Sequence, residues 1–126
     1  MPVLAIDPGE SIGIAFFDNG YQSCVIKEPA ELWTLITGVP WDVVVYENFS
    51  TSGRISAPGL HTVRIVGGIQ ALCSHFHIAM IQHAPQARYP YLRKAKVMLA
   101  GHIIHEIDAM AHLLRWEADN GLKGNL

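Results

Sequence analysis

The chain has few cysteines and no long apolar run, and both shortages limit what it can be. Its 126 residues include only Cys24 and Cys73, so we expect no disulfide framework and two small buried thiols. No apolar stretch approaches the roughly 20 residues of a membrane span. We also expect no signal peptide, because Asp7 and Pro8 interrupt the first apolar run. We therefore expect a cytoplasmic protein.

Short motifs of several enzyme classes are missing as well. The sequence has no CxxC pair, no nucleophile elbow and no P-loop, which argues against dithiol redox chemistry, serine hydrolysis of that type and P-loop nucleotide hydrolysis. Half of the residues are hydrophobic and 16% are charged, a composition typical of globular proteins. At this length we expect one domain over residues 1–126.

Acidic residues are absent from the middle of the chain. The formal net charge is −2, but residues 1–50 carry seven acids and one base, whereas residues 51–126 carry eight bases and four acids. Residues 51–100 contain no acid and six bases: Arg54, Arg64, Arg88, Arg93, Lys94 and Lys96. This asymmetry favours contact with phosphate groups, although an ordinary solvated surface is the alternative.

Apolar runs and turn signals predict an α/β order of elements. We expect strands over residues 3–6, 11–18, 21–27, 42–47 and 77–82, and helices over residues 29–37, 60–76, 91–99 and 102–120. Residues 49–59 and a segment framed by Pro85 and Pro90 are predicted loops. Asn19-Gly20 indicates a hairpin between the second and third strands. The result is a three-layer fold with a five-stranded mixed sheet flanked by helices.

Three acidic residues stand where they could share a metal ion. Asp7 and Glu47 each end an apolar run, and Asp108 lies on the last predicted helix. Buried carboxylates need a partner or a metal, and oxygen ligands suit Mg²⁺, with Mn²⁺ as a substitute. His105 lies three residues before Asp108 and so on the same helix face. Asp7 could instead serve only as a turn former, and His105 could be an ordinary surface or core histidine.

Three motifs resemble those of the RuvC-type Holliday junction resolvases, which have an RNase H-like fold. They are IDPG at residues 6–9 followed by Gly13, VYENF at residues 45–49, and HEIDAMA at residues 105–111. Many family members have an aspartate where this chain has His105. The similarity covers nearly the whole chain and implies a metal-dependent endonuclease. The compact size suits a bacteriophage or prophage protein, acting in the cytoplasm of a bacterial or phage-infected cell.

The resemblance implies roles for individual residues. Asp7 would bridge two Mg²⁺ ions, Glu47 would bind the second, and His105 and Asp108 would complete the site for phosphodiester hydrolysis. Four-way junction DNA would contact the six basic residues, with Arg54 near the cut, while Phe49 or Tyr89 would stack on an unpaired base. The alternative for Phe49 is a place in the core.

Symmetric cutting of a junction needs a homodimer. We expect its interface on the helix over residues 60–76, at Val63, Ile65, Val66, Gly67-Gly68, Ile69 and Leu72; the alternative is a helix wholly buried in the monomer. Three other functions stay open. One is a different RNase H-like nuclease, acting on branched DNA or ribosomal RNA precursors, and another is a non-catalytic DNA-binding dimer. The third, an actin-like ATPase relative, would need a second domain.

Overall fold

The computed structural model describes residues 1–48 and 57–122, and of Ala57 and Pro58 the backbone only. The predicted α/β architecture is confirmed. The strands are β1 (Val3–Asp7), β2 (Ile12–Phe17), β3 (Tyr21–Ile26), β4 (Val43–Glu47) and β5 (Ala79–His83). The α-helices are α1 (Pro29–Gly38), α2 (Ala57–His75), α3 (Leu92–Met98) and α4 (Ile104–Asp119), and a 3₁₀ helix covers Pro85–Tyr91.

The five strands form one mixed sheet in the order β3-β2-β1-β4-β5. The pairs β1–β2 and β2–β3 are antiparallel, and the pairs β1–β4 and β4–β5 are parallel. The predicted hairpin is present: Asn19 has φ of 59° and Gly20 of 141°, values that favour asparagine and glycine. Because helices connect β3 to β4 and β4 to β5, the parallel pairs can form.

Alternation along the strands decides which layer each side chain enters. Leu4 and Ile6 pack with residues of α1 and α2, whereas Val3 and Ala5 pack on the opposite face with α3 and α4. Side chains two residues apart lie on the same face of a sheet. Asp7 therefore faces α4, and so does Glu47, because Val45 belongs to the same core as Val3.

Small residues bring α4 very close to the sheet. Ala109 and Ala111 are fully buried against it. Gly13 of β2 lies opposite Asp7, and a Cβ atom at this position would be only 2.0 Å from the backbone oxygen of His105. The absence of a side chain at Gly13 therefore allows the first turn of α4 to approach β2 closely.

Three predictions for the chain after β4 are wrong. Helix α2 begins at Ala57 and not at residue 60, since a proline is tolerated in the first turn of a helix. Strand β5 begins at Ala79 and not at residue 77, because His77 has φ of 55° and the Ile78 amide donates to the Cys73 carbonyl, which closes the end of α2 as a Schellman motif. The segment between Pro85 and Pro90 is not a loop but a 3₁₀ helix.

The remaining sequence expectations differ only in detail. Helix α4 begins at Ile104 and not at residue 102. Cys73 is buried, but Cys24 is only half-buried, and both thiols are free. No helix within the described parts of the chain is long and apolar enough to cross a membrane.

The adjacent glycines of α2 predict opposite effects of alanine. A Cβ atom at Gly68 would lie 2.3 Å from the Trp33 ring on α1, whereas one at Gly67 would meet no atom within 4 Å. We expect Gly67→Ala to raise the free energy of unfolding by up to about 1 kcal/mol through helix propensity. Gly68→Ala should lower it by about 1 kcal/mol, because the indole must move. Urea denaturation of both variants measures these changes in the free energy of unfolding. Equal changes in the two variants would contradict the contact between Gly68 and Trp33.

Candidate active site

Two of the three predicted acidic residues meet at one edge of the sheet. Strands β1 and β4 are parallel and pair as far as Ile6 and Tyr46, so Asp7 and Glu47 follow side by side. Asp7 is only 7% exposed. The two carboxyl groups are hydrogen-bonded to each other. The parallel pairing predicted from the crossover helix is therefore what brings them together.

The first turns of α4 bring two further residues to the same place. His105 Nδ1 lies 3.6 Å from Asp7 Oδ2, which is close enough for electrostatic attraction but too long for a hydrogen bond. Asp108, three residues later on the same helix face, is close enough to Glu47 for the two charges to affect each other. The four residues predicted as metal ligands thus form one cluster, here called the carboxylate cluster: Asp7, Glu47, His105 and Asp108.

Arg88 lies inside this cluster and not on an open basic surface. Its Nη1 donates to Glu47 Oε1 at 2.6 Å, and its Nε lies 3.4 Å from Asp108 Oδ1. Arg88 Nε is nevertheless a buried nitrogen that no described residue hydrogen-bonds. The guanidinium group therefore offsets the negative charge of Glu47 and Asp108, while its Nε lacks a hydrogen-bond acceptor among the described residues. Sequence reasoning assigned Arg88 to DNA contact only and missed this position.

Two buried histidines behind Glu47 were also missed. His112 Nε2 lies 3.1 Å from Glu47 Oε1, and His112 Nδ1 lies 3.0 Å from His83 Nδ1. The sequence alone led to no predicted role for His112. Its spacing of four residues from Asp108 was a usable signal, because it places both side chains on one helix face. His83 could be found only once β5 was known to pair with β4.

Burial and mutual repulsion shift the pKa values of the three acids. Burial, and then the neighbouring Glu47, raises the pKa of Asp7 from 3.8 to about 8. Burial also raises the pKa of Glu47, but hydrogen bonds from His112 and Asp7 outweigh it, and the result lies below its ordinary value. Burial raises the pKa of Asp108, while Arg88 opposes the shift. The pair is therefore best described as a protonated Asp7 that donates to an ionised Glu47.

Asp7→Asn should stabilise the metal-free protein increasingly as the pH rises. The folded pKa of Asp7 is about 8, above the unfolded value of about 4, so the native state holds the proton more tightly. Below pH 4 both states are protonated and the substitution should change little. Between pH 4 and pH 8 the unfolded chain releases the proton first, so the wild type loses stability relative to the variant. One pKa unit corresponds to about 1.4 kcal/mol, and we expect at least that gain at pH 8.

Urea denaturation in EDTA at pH 5 and pH 8 measures this gain. Asp18→Asn, at an exposed position beside the β2–β3 turn, is the matched control and should change stability little at either pH. A gain at Asp7 that is the same at both pH values would contradict the burial of a shared proton between Asp7 and Glu47.

The other predicted DNA-binding residues lie on two helices or outside the described residues. Arg64 is exposed on α2, and Arg93, Lys94 and Lys96 are exposed on α3. Helix α3 follows directly after the 3₁₀ helix that carries Arg88. Phe49 and Arg54 lie outside the described residues. The roles of all of these residues in DNA binding stay predictions.

The carboxylate cluster offers suitable metal donors, although they are not gathered around one point as they stand. Among residues 1–48 and 57–122, no three His, Cys, Asp or Glu side chains are grouped closely enough to hold one cation. Arg88 lies between Glu47 and Asp108 and takes up their charge. The donor chemistry, three carboxylates and an imidazole, fits a divalent cation of the Mg²⁺ or Mn²⁺ type.

Comparison of the fold gives strong similarities where comparison of the sequence gives none. No protein-family model matches the chain, and no curated protein is significantly similar to it. The structure of Thermus thermophilus RuvC in complex with a Holliday junction substrate superposes with a TM-score of 0.74, at 16% identity and with 97% of each chain covered. The chain has the RuvC-type fold.

A viral resolvase shares this RNase H-like architecture. The fowlpox virus Holliday junction resolvase superposes with a TM-score of 0.66 at 13% identity, covering 95% of this chain and 99% of its own. A structure of the fowlpox enzyme with its Holliday junction DNA gives 0.63 at 14% identity, with the same coverage. The fold predicted from the three motifs is therefore confirmed, over nearly the whole length of the RuvC-type structures.

Proposed function

We propose that this protein is a metal-dependent, structure-selective DNA endonuclease that resolves Holliday junctions by symmetric phosphodiester hydrolysis. The observation that carries the proposal is the convergence of Asp7, Glu47 and Asp108 at one edge of the sheet. The RuvC-type fold supports it, because two structures of that fold are complexes with junction DNA. We place its action in the cytoplasm of a bacterial or phage-infected cell, in DNA recombination or phage DNA processing.

The carboxylate cluster would hold one or two Mg²⁺ ions, or Mn²⁺ in their place. Asp7 and Glu47 would bind from the strand ends, and Asp108 and His105 would bind from α4. When bound, the metal ions supply activation of the attacking water and neutralisation of the leaving oxygen. The buried Asp7 excludes bulk water from one side of the site, and His105 stands at the partly exposed side, where it can orient or deprotonate a water molecule.

Basic residues near the cluster would hold the phosphate backbone. The Arg88 side chain pairs with Glu47 and Asp108 and is 21% exposed, so its exposed part is proposed to contact a phosphate group beside the scissile bond. Exposed Arg93, Lys94 and Lys96 on α3 extend positive charge away from it, and Arg64 adds a charge on α2. Phe49 and Arg54 follow Glu47 in sequence; Phe49 is proposed to stack on an unpaired base at the branch point, and Arg54 to contact a phosphate near the cut.

A homodimer is proposed because a four-way junction presents two equivalent strands to cut. Helix α2 has apolar residues on two sides, one buried within the monomer and the other exposed. Ile65, Val66 and Ile69 are buried in the monomer, whereas Leu60, Val63 and Gly67 are exposed. The exposed set, here called the outer α2 stripe, is the proposed interface. Leu72 is half-buried and packs within the monomer.

Cleavage of a labelled synthetic four-way junction in Mg²⁺ tests the proposal. Linear duplex, a flap and an RNA–DNA hybrid are incubated in parallel, and EDTA is the control. We expect paired, symmetric nicks on the junction only. Cleavage of another substrate instead would assign a different RNase H-like nuclease, and the absence of all cleavage would favour a non-catalytic DNA-binding dimer.

A further inference from the structure

A fully buried histidine contacts one of the proposed metal ligands from behind. His112 lies on α4 one turn after Asp108, has no exposed surface, and approaches Glu47 Oε1 with its Nε2 at 3.1 Å. An imidazole is rarely buried completely without hydrogen bonds, because desolvating its polar atoms is costly. Here both ring nitrogens have a partner, since Nδ1 lies 3.0 Å from His83 Nδ1.

The partner histidine reaches this position through the sheet. His83 ends β5 and pairs in register with Glu47 at the end of β4. Neighbouring residues of two strands present their side chains on the same face. His83 is 8% exposed and therefore also buried. The three side chains form a chain of contacts, here called the histidine relay: His83, His112 and Glu47.

When the His112 ring is neutral, hydrogen-bond chemistry gives the relay one direction. An ionised carboxylate only accepts, so the proton between His112 and Glu47 must lie on His112 Nε2. A neutral His112 then has a free lone pair on Nδ1, and His83 must donate to it. This requires a neutral His83 with its proton on Nδ1. Burial lowers the pKa of His83 to about 4, in agreement with a neutral His83 ring.

The relay also links two elements that carry proposed ligands. His112 and Asp108 share one face of α4, while Glu47 belongs to β4. The hydrogen bond from His112 therefore sets the position of Glu47 relative to Asp108. Arg88 holds the same oxygen of Glu47, but from the 3₁₀ helix, which carries none of the four residues of the carboxylate cluster.

We propose that His112 is a positioning residue that orients the Glu47 carboxylate for a divalent cation, and that His83 holds His112 in the required tautomer. This inference rests on the proposed metal site of the nuclease. Groups that hold a metal ligand in place typically change metal affinity or activity by about 10- to 100-fold when they are removed. His112 and His83 would hold the ligand Glu47 in place in this way, although neither is itself a ligand.

Three substitutions of His112 separate positioning from packing. Glutamine places its amide nitrogen near the position of imidazole Nε2 and can still donate to Glu47. Asparagine is shorter, so its amide nitrogen reaches only the position of Nδ1. Leucine fills space without a donor. We expect His112→Asn and His112→Leu to weaken Mn²⁺ binding about 10- to 100-fold, and His112→Gln to restore it to within a few-fold of wild type.

Mn²⁺ affinity is measured by calorimetry on the DNA-free full chain, with urea denaturation of each variant alongside. Equal affinity losses in the glutamine and asparagine variants, or wild-type affinity in His112→Leu, would overturn the positioning role. Junction cleavage is measured separately. A wild type that binds Mn²⁺ with the expected dependence on His112 but cuts no substrate would leave the inference intact and remove the nuclease. A wild type that does not bind Mn²⁺ would remove the metal site and this inference together.

Nitrogen NMR of the histidine rings tests the role of His83. In the metal-free wild type, His112 should carry its proton on Nε2. His83→Asn keeps a donor near the position of Nδ1 and should keep this tautomer, whereas His83→Leu leaves His112 Nδ1 without a donor and should change its ring-nitrogen shifts. We expect Mn²⁺ binding to weaken in the leucine variant only. Unchanged His112 shifts in His83→Leu would contradict the relay.

Discussion

Asp7→Asn will abolish cleavage of a four-way junction and leave junction binding nearly unchanged. Asparagine keeps the size and hydrogen-bonding capacity of the side chain but removes the negative charge that would hold a cation at the centre of the site. A bound metal ion contributes several kcal/mol to transition-state stabilisation, and each 1.4 kcal/mol changes the rate about tenfold. We therefore expect the single-turnover cleavage rate to fall by about a thousandfold or more.

Junction binding should persist because the exposed positive charges lie outside the carboxylate cluster. The exposed bases of α3 and Arg64 of α2 are not part of the carboxylate cluster, so the substitution does not alter them. A gel-shift titration in Ca²⁺ or EDTA measures binding, and single-turnover cleavage in Mg²⁺ measures the rate. Asp18→Asn is the control for both. Normal cutting by Asp7→Asn would show that the carboxylate cluster is not the active site.

Loss of the fold cannot explain such a result, because the same substitution should stabilise the metal-free chain. Asp7 is buried beside Glu47 and within range of Asp108, and its pKa of about 8 reflects the cost of ionising it there. Active sites commonly hold groups that lower stability. Opposite changes in stability and activity in a single variant would be direct evidence that Asp7 serves a cation and not the fold.

The site residues that sequence reasoning identified were marked by local patterns. Asp7 and Glu47 follow uninterrupted apolar runs, which predict buried strands. A carboxylate at the end of a buried strand is costly unless it has a partner or binds a metal ion. His105 and Asp108 share a helix face by spacing alone. The hairpin at Asn19-Gly20 and the helix between β3 and β4 then fix antiparallel and parallel neighbours. For these elements, patterns within a few residues of the sequence predict the strand neighbours that the structure shows.

The residues that were missed depend on contacts between distant elements. Arg88 lies 41 residues after Glu47 in a 3₁₀ helix between two prolines, a segment without periodicity that could indicate which way a side chain points. His83 reaches Glu47 only through the register of β5 on β4, and the predicted strand ended one residue too early to include it. His112 was within reach of sequence reasoning, but it is one of seven histidines, five of which lie between residues 75 and 105.

Gly13→Ala will displace the start of α4 and disrupt the carboxylate cluster. The added Cβ atom would lie 2.0 Å from the His105 oxygen and 2.4 Å from its carbonyl carbon. Both are backbone atoms, so no side-chain rotation relieves the overlap, and either β2 or the first turn of α4 must move. Overpacking of this kind costs about 1–3 kcal/mol, and more where backbone must shift. We expect a loss of about 3 kcal/mol or more in the free energy of unfolding.

The consequence for function follows from what the displaced turn carries. His105 faces Asp7, and Asp108 follows one turn later, so a shift of α4 separates the helix residues from Asp7 on β1. Mn²⁺ affinity of the folded fraction should therefore fall together with stability. Gly38→Ala, at the end of α1, is the matched control, because its Cβ atom meets no neighbour within 4 Å and the same change there should leave Mn²⁺ binding unaltered. A Gly13→Ala variant as stable as wild type, with unchanged metal affinity, would mean that α4 does not approach the sheet closely enough to complete the site.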